Sequence, residues 1–193
     1  MNKKLLIVFL SFFASATDLY ASANDYLYKS FDPSFSNWGT TGLLNMPSAR
    51  FQDPGTIALS IANHKPYTRL AGVAYPFNWM EAIYQYTDIR DRLYSDVYAF
   101  SGNQTFKDKG FDIKFKLLNE SRFLPQIALG FKDLAGTSLF SSEYIVASKY
   151  YKNIDFSIGM GWGIMSNNQI SNPIGKLSDR FNSDRGAYTG EAD

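Results

Sequence analysis

From Gly55 onward, hydrophobic and polar residues alternate in short runs, as in a β-strand whose two faces meet different surroundings. The clearest run covers residues 110–118. A helix would scatter the charged side chains of this run around its axis, whereas a strand places all of them on one face. The apolar face carries Phe111, Ile113, Phe115 and Leu117, and the polar face carries Asp112, Lys114 and Lys116.

The run at residues 154–163 follows the same period, with a large apolar residue at every second position and small or polar residues between them. Five weaker runs cover residues 57–62, 68–75, 80–87, 127–132 and 143–150. Together the seven runs predict seven antiparallel strands that follow one another along the chain.

The connections between these runs alternate in length, which is typical of barrels in the bacterial outer membrane. With the N-terminus in the periplasm, the short turns are residues 76–79, 119–124 and 151–153. Residues 90–108 and the tail after Gly163 are long and polar, as expected of external loops. Aromatic rings near run ends could lie at the lipid headgroup level. They are Tyr75, Trp79, Tyr86, Tyr150, Tyr151 and Trp162.

The predicted fold class is all-β, an antiparallel up-and-down meander that forms part of an outer-membrane β-barrel with incomplete closure. Bacterial barrels have an even number of strands, beginning at eight, and residues 165–193 add no returning strand. We therefore expect the chain to be the N-terminal part of a longer protein. A secreted β-sandwich, whose apolar face packs on a second sheet, would also alternate. The small and polar residues opposite the apolar face favour the barrel.

The N-terminus has the features of a cleavable signal peptide, with two lysines, a short apolar run and then small residues. The apolar run from Leu5 to Phe13 is well short of the roughly 20 residues that span a bilayer as a helix. Cleavage could follow Ala16 or Ala23, and the second site is preferred. The expected organisation is a signal peptide at 1–23, a lead-in segment at 24–54, strands at 55–163 and a polar external loop at 164–193. The lead-in segment either adds a strand or lies inside the lumen.

Composition removes several kinds of chemistry. The chain has no Cys, one His (His64) and a formal net charge of +1. Without Cys there are no disulfides, thiolate metal sites or cysteine-linked lipid. A nearly neutral chain lacks the basic footprint of a nucleic-acid-binding protein. We expect no metal, no cofactor, no catalytic residues and no nucleic-acid partner.

Charged side chains on membrane strands should face the lumen, because burying charge in lipid is costly. There they could neutralise one another as ion pairs, donate and accept hydrogen bonds with a hydrated sugar polymer, or do both. The candidate lumen-facing residues are Gln85, Asp112, Lys114, Lys116, Gln126, Glu143, Lys149 and Asp155. The candidate lipid-facing residues are Phe111, Ile113, Phe115, Leu117, Ile154, Phe156, Ile158, Met160 and Trp162.

Seven stretches, in order, resemble the YjbH/GfcD family of proteins. They are TGLLNMPSARF at 41–51, HKPYTRL at 64–70, YTDI at 86–89, KGFDIK at 109–114, LPQIALG at 124–130, SSEY at 141–144 and GMGWG at 159–163. The resemblance implies a Gram-negative outer-membrane β-barrel, longer than this chain, that serves export or assembly of capsule or exopolysaccharide. It supplies no catalytic residues.

The expected partners are therefore outer-membrane lipid, polysaccharide, and periplasmic and lipoprotein components of an export system. The expected location is the outer membrane. The alternative function is a soluble periplasmic or surface β-sandwich that binds carbohydrate.

Overall fold

The computed structural model describes residues 33–151, 154–166, 171–178 and 181. The expected signal peptide at 1–23 and the Lys152-Asn153 connection lie outside the described residues, as does most of the expected loop at 164–193. None of the helices in the described part of the chain is long and apolar enough to cross a membrane.

The fold is built on one antiparallel sheet of seven strands, each hydrogen-bonded to the next along the chain. A small hairpin of β1 (Gly42–Leu43) and β2 (Met46–Pro47) precedes the sheet. The sheet strands are β3 (Ile57–His64), β4 (Tyr67–Phe77), β5 (Met80–Leu93), β6 (Thr105–Leu118), β7 (Gln126–Gly136), β8 (Ser142–Tyr151) and β9 (Ile154–Gly163). A short helix, α1 (Tyr98–Ser101), joins β5 to β6, and a single 3₁₀ turn covers Pro173–Lys176.

The sheet curls into a half-barrel, so the predicted all-β antiparallel meander is confirmed. All seven predicted runs are strands of this sheet. Strands β5 and β6 are longer than their apolar runs, at 14 residues each, so the connection predicted at 90–108 shrinks to residues 94–104. The extra pairing is polar: Lys107 lies opposite Asp88 and forms an ion pair of 2.5 Å with it.

The two faces of the sheet differ in chemistry and in exposure. The convex face is apolar and open, with Leu59 on β3 and Ile158 on β9 each 79% exposed. The concave face is buried, and its side chains include Tyr75, Glu81 and Lys114. In a β-strand, alternation sends neighbouring residues to opposite faces, so each strand contributes to both surfaces at once.

The aromatic residues near the strand ends divide between these faces. Trp79, in the turn between β4 and β5, stacks between Phe77 and Phe115, with ring centroids 5.2 and 6.1 Å apart. Tyr75 was predicted to join such a belt, and this is wrong. Its side chain points to the concave face, where its hydroxyl is hydrogen-bonded to Thr41 Oγ1.

Candidate functional site

The concave face is occupied by the protein's own residues 33–51, a segment that we call the plug. Its backbone forms local turns and the β1–β2 hairpin, and a bridge pairs Phe35 with Thr41. The backbone N–H of Ala49 donates to Ser148 Oγ on β8, at 2.8 Å. The sequence left two alternatives for the lead-in segment, an added strand or a position inside the lumen. The described part of this segment lies inside the curl of the sheet.

Glu81 on β5 is the centre of the contacts between plug and sheet. Its carboxylate accepts hydrogen bonds from the hydroxyls of Thr40 and Thr41, at 2.5 and 2.6 Å. Lys114 Nζ on β6 lies 2.8 Å from the same carboxylate. The Lys114 and Glu81 side chains are 1% and 0% exposed. A carboxylate this deeply buried requires a cation and hydrogen-bond donors around it, and the plug and β6 supply both.

Lys114 also holds the backbone of the plug. Its ammonium donates to the carbonyl oxygens of Arg50 and Ser48, at 2.9 and 3.3 Å. Lys116, two residues further along β6, lies with its Nζ 5.0 Å from the centroid of the Phe51 ring. Two of the predicted lumen-facing cations therefore contact the plug.

Arg50 fixes the far end of the plug. Its guanidinium forms two hydrogen bonds with Asp155 on β9, at 3.0 and 2.7 Å, and pairs with Glu120 at 2.6 Å. It also donates to Gln126 Oε1 at 3.1 Å. Burial acts to lower the pKa of Arg50, but the hydrogen bonds and charges of Asp155 and Glu120 outweigh it and raise that pKa. Charged, bidentate contacts of this kind are stronger than neutral hydrogen bonds.

The remaining predicted lumen residues on the concave face are Gln85 and Asp112. Gln85 Nε2 donates to the Trp38 carbonyl of the plug at 2.7 Å and also to the Asp112 carboxylate. Asp112 accepts a further hydrogen bond from the backbone N–H of Asp133, at 2.7 Å. Six of the eight candidates thus share this face: Gln85, Asp112, Lys114, Lys116, Gln126 and Asp155.

Glu143 and Lys149 were also predicted to face the lumen, and the structure corrects this orientation. Both lie on the convex face, opposite Phe131 and Phe156 respectively. The reason is Tyr144, whose ring lies over Gly130, where a Cβ would come within 2.1 Å of the ring. The ring fits only against a residue without a side chain, so the even-numbered residues of β8 face inward. Lys149 then pairs at the strand end with Glu120, at 3.0 Å.

Glu143 is covered by protein rather than left on an open surface. Asn172, beside the 3₁₀ turn, donates to its carboxylate at 2.8 Å, and the residue is 2% exposed. Trp162, which lies opposite Glu143, is 7% exposed although it was predicted to face lipid. The other predicted lipid-facing residues are exposed or half-buried on the convex face: Phe111, Ile113, Phe115, Leu117, Ile154, Phe156, Ile158 and Met160.

Sequence reasoning did not select the residues that organise this site, namely Glu81, Glu120 and Arg50. Glu81 lies on the same face of its run as Gln85, so the alternation could have identified it. Arg50 and Glu120 lie outside the strands, where no period shows that they meet. The arrangement binds a polypeptide segment, the plug, through Glu81, Gln85 and Lys114 of the concave face.

A curled antiparallel sheet, apolar outside and packed inside with its own preceding segment, defines a plugged half-barrel. The chain belongs to the YjbH family: the family model described as "Exopolysaccharide biosynthesis protein YbjH" matches residues 34–193. It is 43% identical over 150 residues to the "Uncharacterized lipoprotein YjbH" of Escherichia coli (strain K12). That match covers 77% of this chain and 22% of the relative, so the chain spans about a fifth of the relative's length. No solved structure matches the chain.

Proposed function

We propose that this chain contributes a plugged section of wall to an outer-membrane β-barrel that serves export or assembly of exopolysaccharide, without catalysis. The observation that carries the proposal is the convex face, where large apolar side chains such as Leu59 and Ile158 lie open along the strands. Water-soluble proteins rarely expose a continuous apolar surface of this kind, whereas lipid covers it favourably. The family description supplies the link to exopolysaccharide.

The soluble sandwich has no comparable support. A sandwich requires a second sheet over the apolar face. In the described residues the other sheet is the β1–β2 hairpin, which belongs to the plug on the concave side. Phe111 on the central strand β6 and Phe156 on the edge strand β9 are both 54% exposed on the convex face.

Fractionation of cells that express the full-length protein tests the location. We expect the protein to be recovered with outer membranes and to migrate differently in detergent gels before and after heating. Release by osmotic shock, with no heat-dependent migration, would refute the membrane location.

Substitution of Ile158 tests the surroundings of the convex face more directly. In water, Ile158→Arg at such an exposed position should change stability by no more than about 0.5 kcal/mol. In lipid, an arginine near the bilayer midplane costs about 2–4 kcal/mol. We expect Ile158→Arg to lower the yield of heat-modifiable protein strongly, and the matched control Ile158→Leu to leave it unchanged. Equal yields for the two variants would contradict a lipid-covered face.

A further inference from the structure

A cavity of about 570 Å³ opens at the end of the sheet opposite the Asn78-Trp79 turn. Tyr67 at the start of β4, Asp91 and Arg92 at the end of β5, and Phe140 just before β8 all line it. Tyr67 and Phe140 meet edge to face, with ring centroids 5.8 Å apart. The volume is within the range of small-ligand sites, and such sites combine apolar walls with a few polar groups. We call it the mouth cavity.

The rings of the mouth cavity continue into the plug, and two buried cations of the sheet, Arg69 on β4 and Lys132 on β7, lie beside the plug residue Trp38. Trp38 packs edge to face against Phe140, with ring centroids 5.3 Å apart. The guanidinium carbon of Arg69 lies 3.7 Å from the Trp38 ring centroid and 4.4 Å from that of Tyr67. Lys132 Nζ lies 3.2 Å from the Trp38 centroid. Of the two cations, Arg69 directly contacts a ring of the cavity wall, that of Tyr67.

Of these two cations, Arg69 lacks an anionic partner. Arg69 forms no ion pair with a carboxylate of the described residues, whereas Lys132 interacts electrostatically with the carboxylates of Asp112 and Asp133. Arg69 is 4% exposed, and its Nε has no hydrogen-bond partner in the described part of the chain. Ring faces attract a cation but do not neutralise it, so the positive potential of Arg69 extends toward the cavity. A buried, uncompensated cation favours the arrival of an anion.

We propose that the mouth cavity binds an acidic saccharide. The apolar faces of a sugar ring would pack on Tyr67 and Phe140, and its hydroxyl groups would exchange hydrogen bonds with Asp91 and Arg92 at the rim. The carboxylate of the sugar would be held by the positive potential of Arg69. This inference rests on the proposed function, because it assigns a polymer chemistry to the same half-barrel. Since the plug fills the concave face beyond the cavity, the bound sugar marks a docking point rather than a stretch of open channel.

Binding to the full-length protein, purified in detergent, tests the proposal. The probes are a hexamer of galacturonic acid, a neutral hexamer of glucose and inorganic phosphate, measured by isothermal titration calorimetry. We expect the acidic hexamer to bind about tenfold more tightly than the neutral one. This difference in affinity is what a single additional charge contact would give. Phosphate alone should bind more weakly than the acidic hexamer, because it offers no sugar face to the rings.

Three variants test which residues are responsible for binding of the acidic hexamer. Arg69→Gln should abolish the preference for the acidic hexamer. Phe140→Ala should weaken binding of the acidic hexamer by about tenfold. The matched control, Lys109→Gln, removes a charge from an exposed position on the convex side of β6 and should leave affinity within about twofold. Heat-dependent migration in detergent gels shows which variants have folded. If Arg69→Gln does not fold, the affinity of Phe140→Ala still tests the proposed site.

The outcomes separate the two proposals. Equal affinity for the acidic and neutral hexamers, equal affinity for phosphate and the acidic hexamer, or unchanged affinity in Phe140→Ala would overturn the saccharide site. Wild-type protein that fractionates with the outer membrane but binds no hexamer would refute this inference while leaving the proposed function intact. Release by osmotic shock would refute the proposed function itself.

Discussion

At the residue scale, the most constrained group of the described chain is the Lys114–Glu81 pair. Both side chains are buried, and the pair lies between β5, β6 and the plug. Taking two charges out of water is costly, so the pair adds little net stability over a well-packed apolar pair. Removing one partner, in contrast, strongly destabilises the fold, because it leaves the other charge buried and uncompensated.

We therefore predict that Lys114→Met lowers the free energy of unfolding by about 3–5 kcal/mol. The double variant Lys114→Met with Glu81→Gln should recover a large part of this loss, because no buried charge is left unpaired. Lys116→Met is the matched control, since Lys116 contacts the Phe51 ring rather than a carboxylate. Urea unfolding in detergent micelles, followed by tryptophan fluorescence, measures all four proteins. A double variant no more stable than Lys114→Met would argue against this account of the pair.

At the element scale, the plug connects strands that lie far apart in the sheet. It reaches β5 through Thr40 and Thr41, β6 through its carbonyl oxygens, and β9 through Arg50. Strands β5 and β9 are separated by three others in the sheet. The plug therefore braces the curl of the sheet while it fills the concave face.

Engineered cysteines test this position, because the chain has no cysteine of its own. The hydrogen bond from Ala49 N to Ser148 Oγ brings these residues within reach of a disulfide. We predict that the pair Ala49→Cys and Ser148→Cys forms an intramolecular disulfide under mild oxidation in assembled, full-length protein. Each single variant is the control, and the measurement is the thiol content and migration before and after reduction. Free thiols in the oxidised double variant would show that the plug lies elsewhere.

At the scale of the whole molecule, the described sheet has two edges, β3 and β9. Unpaired backbone N–H and C=O groups on such edges are costly in lipid, where no water can satisfy them. Both edges also carry the most exposed apolar side chains of the convex face, including Leu59 and Ile158. If lipid covers this face, both edges must be paired by other strands.

Hydrogen exchange tests the pairing of the edges. In the full-length protein in bilayers, we predict that the amides of β3 and β9 exchange as slowly as those of the central strands β5 and β6. Residues 24–193 produced alone should lose this protection at the edges, while the central strands retain more of it. The exposed α1 connection is the internal standard for fast exchange. Edge amides in the full-length protein that exchange as fast as α1 would contradict the closed wall.

The strands were predictable because alternation is a local property of neighbouring residues. Residues 110–118 and 154–163 show the reason, since each places its apolar side chains on one face without reference to any other part of the chain. In the weaker run at 143–150, the residues predicted to face inward face outward in the structure. There the deciding fact is the fit of Tyr144 over Gly130, a contact between two strands that one strand does not contain.

By itself, the sequence determined the number of strands in the large sheet, their order and the contrast between an apolar and a polar face. The tertiary structure decided what covers the polar face. The polar face meets the plug through contacts such as Ala49 with Ser148 and Arg50 with Asp155, whose partners are 99 and 105 residues apart. Contacts at that separation depend on how the sheet curls, and no periodic pattern along the chain encodes them. The same is true of the mouth cavity, whose rings and cations come from the plug, three strands and a loop.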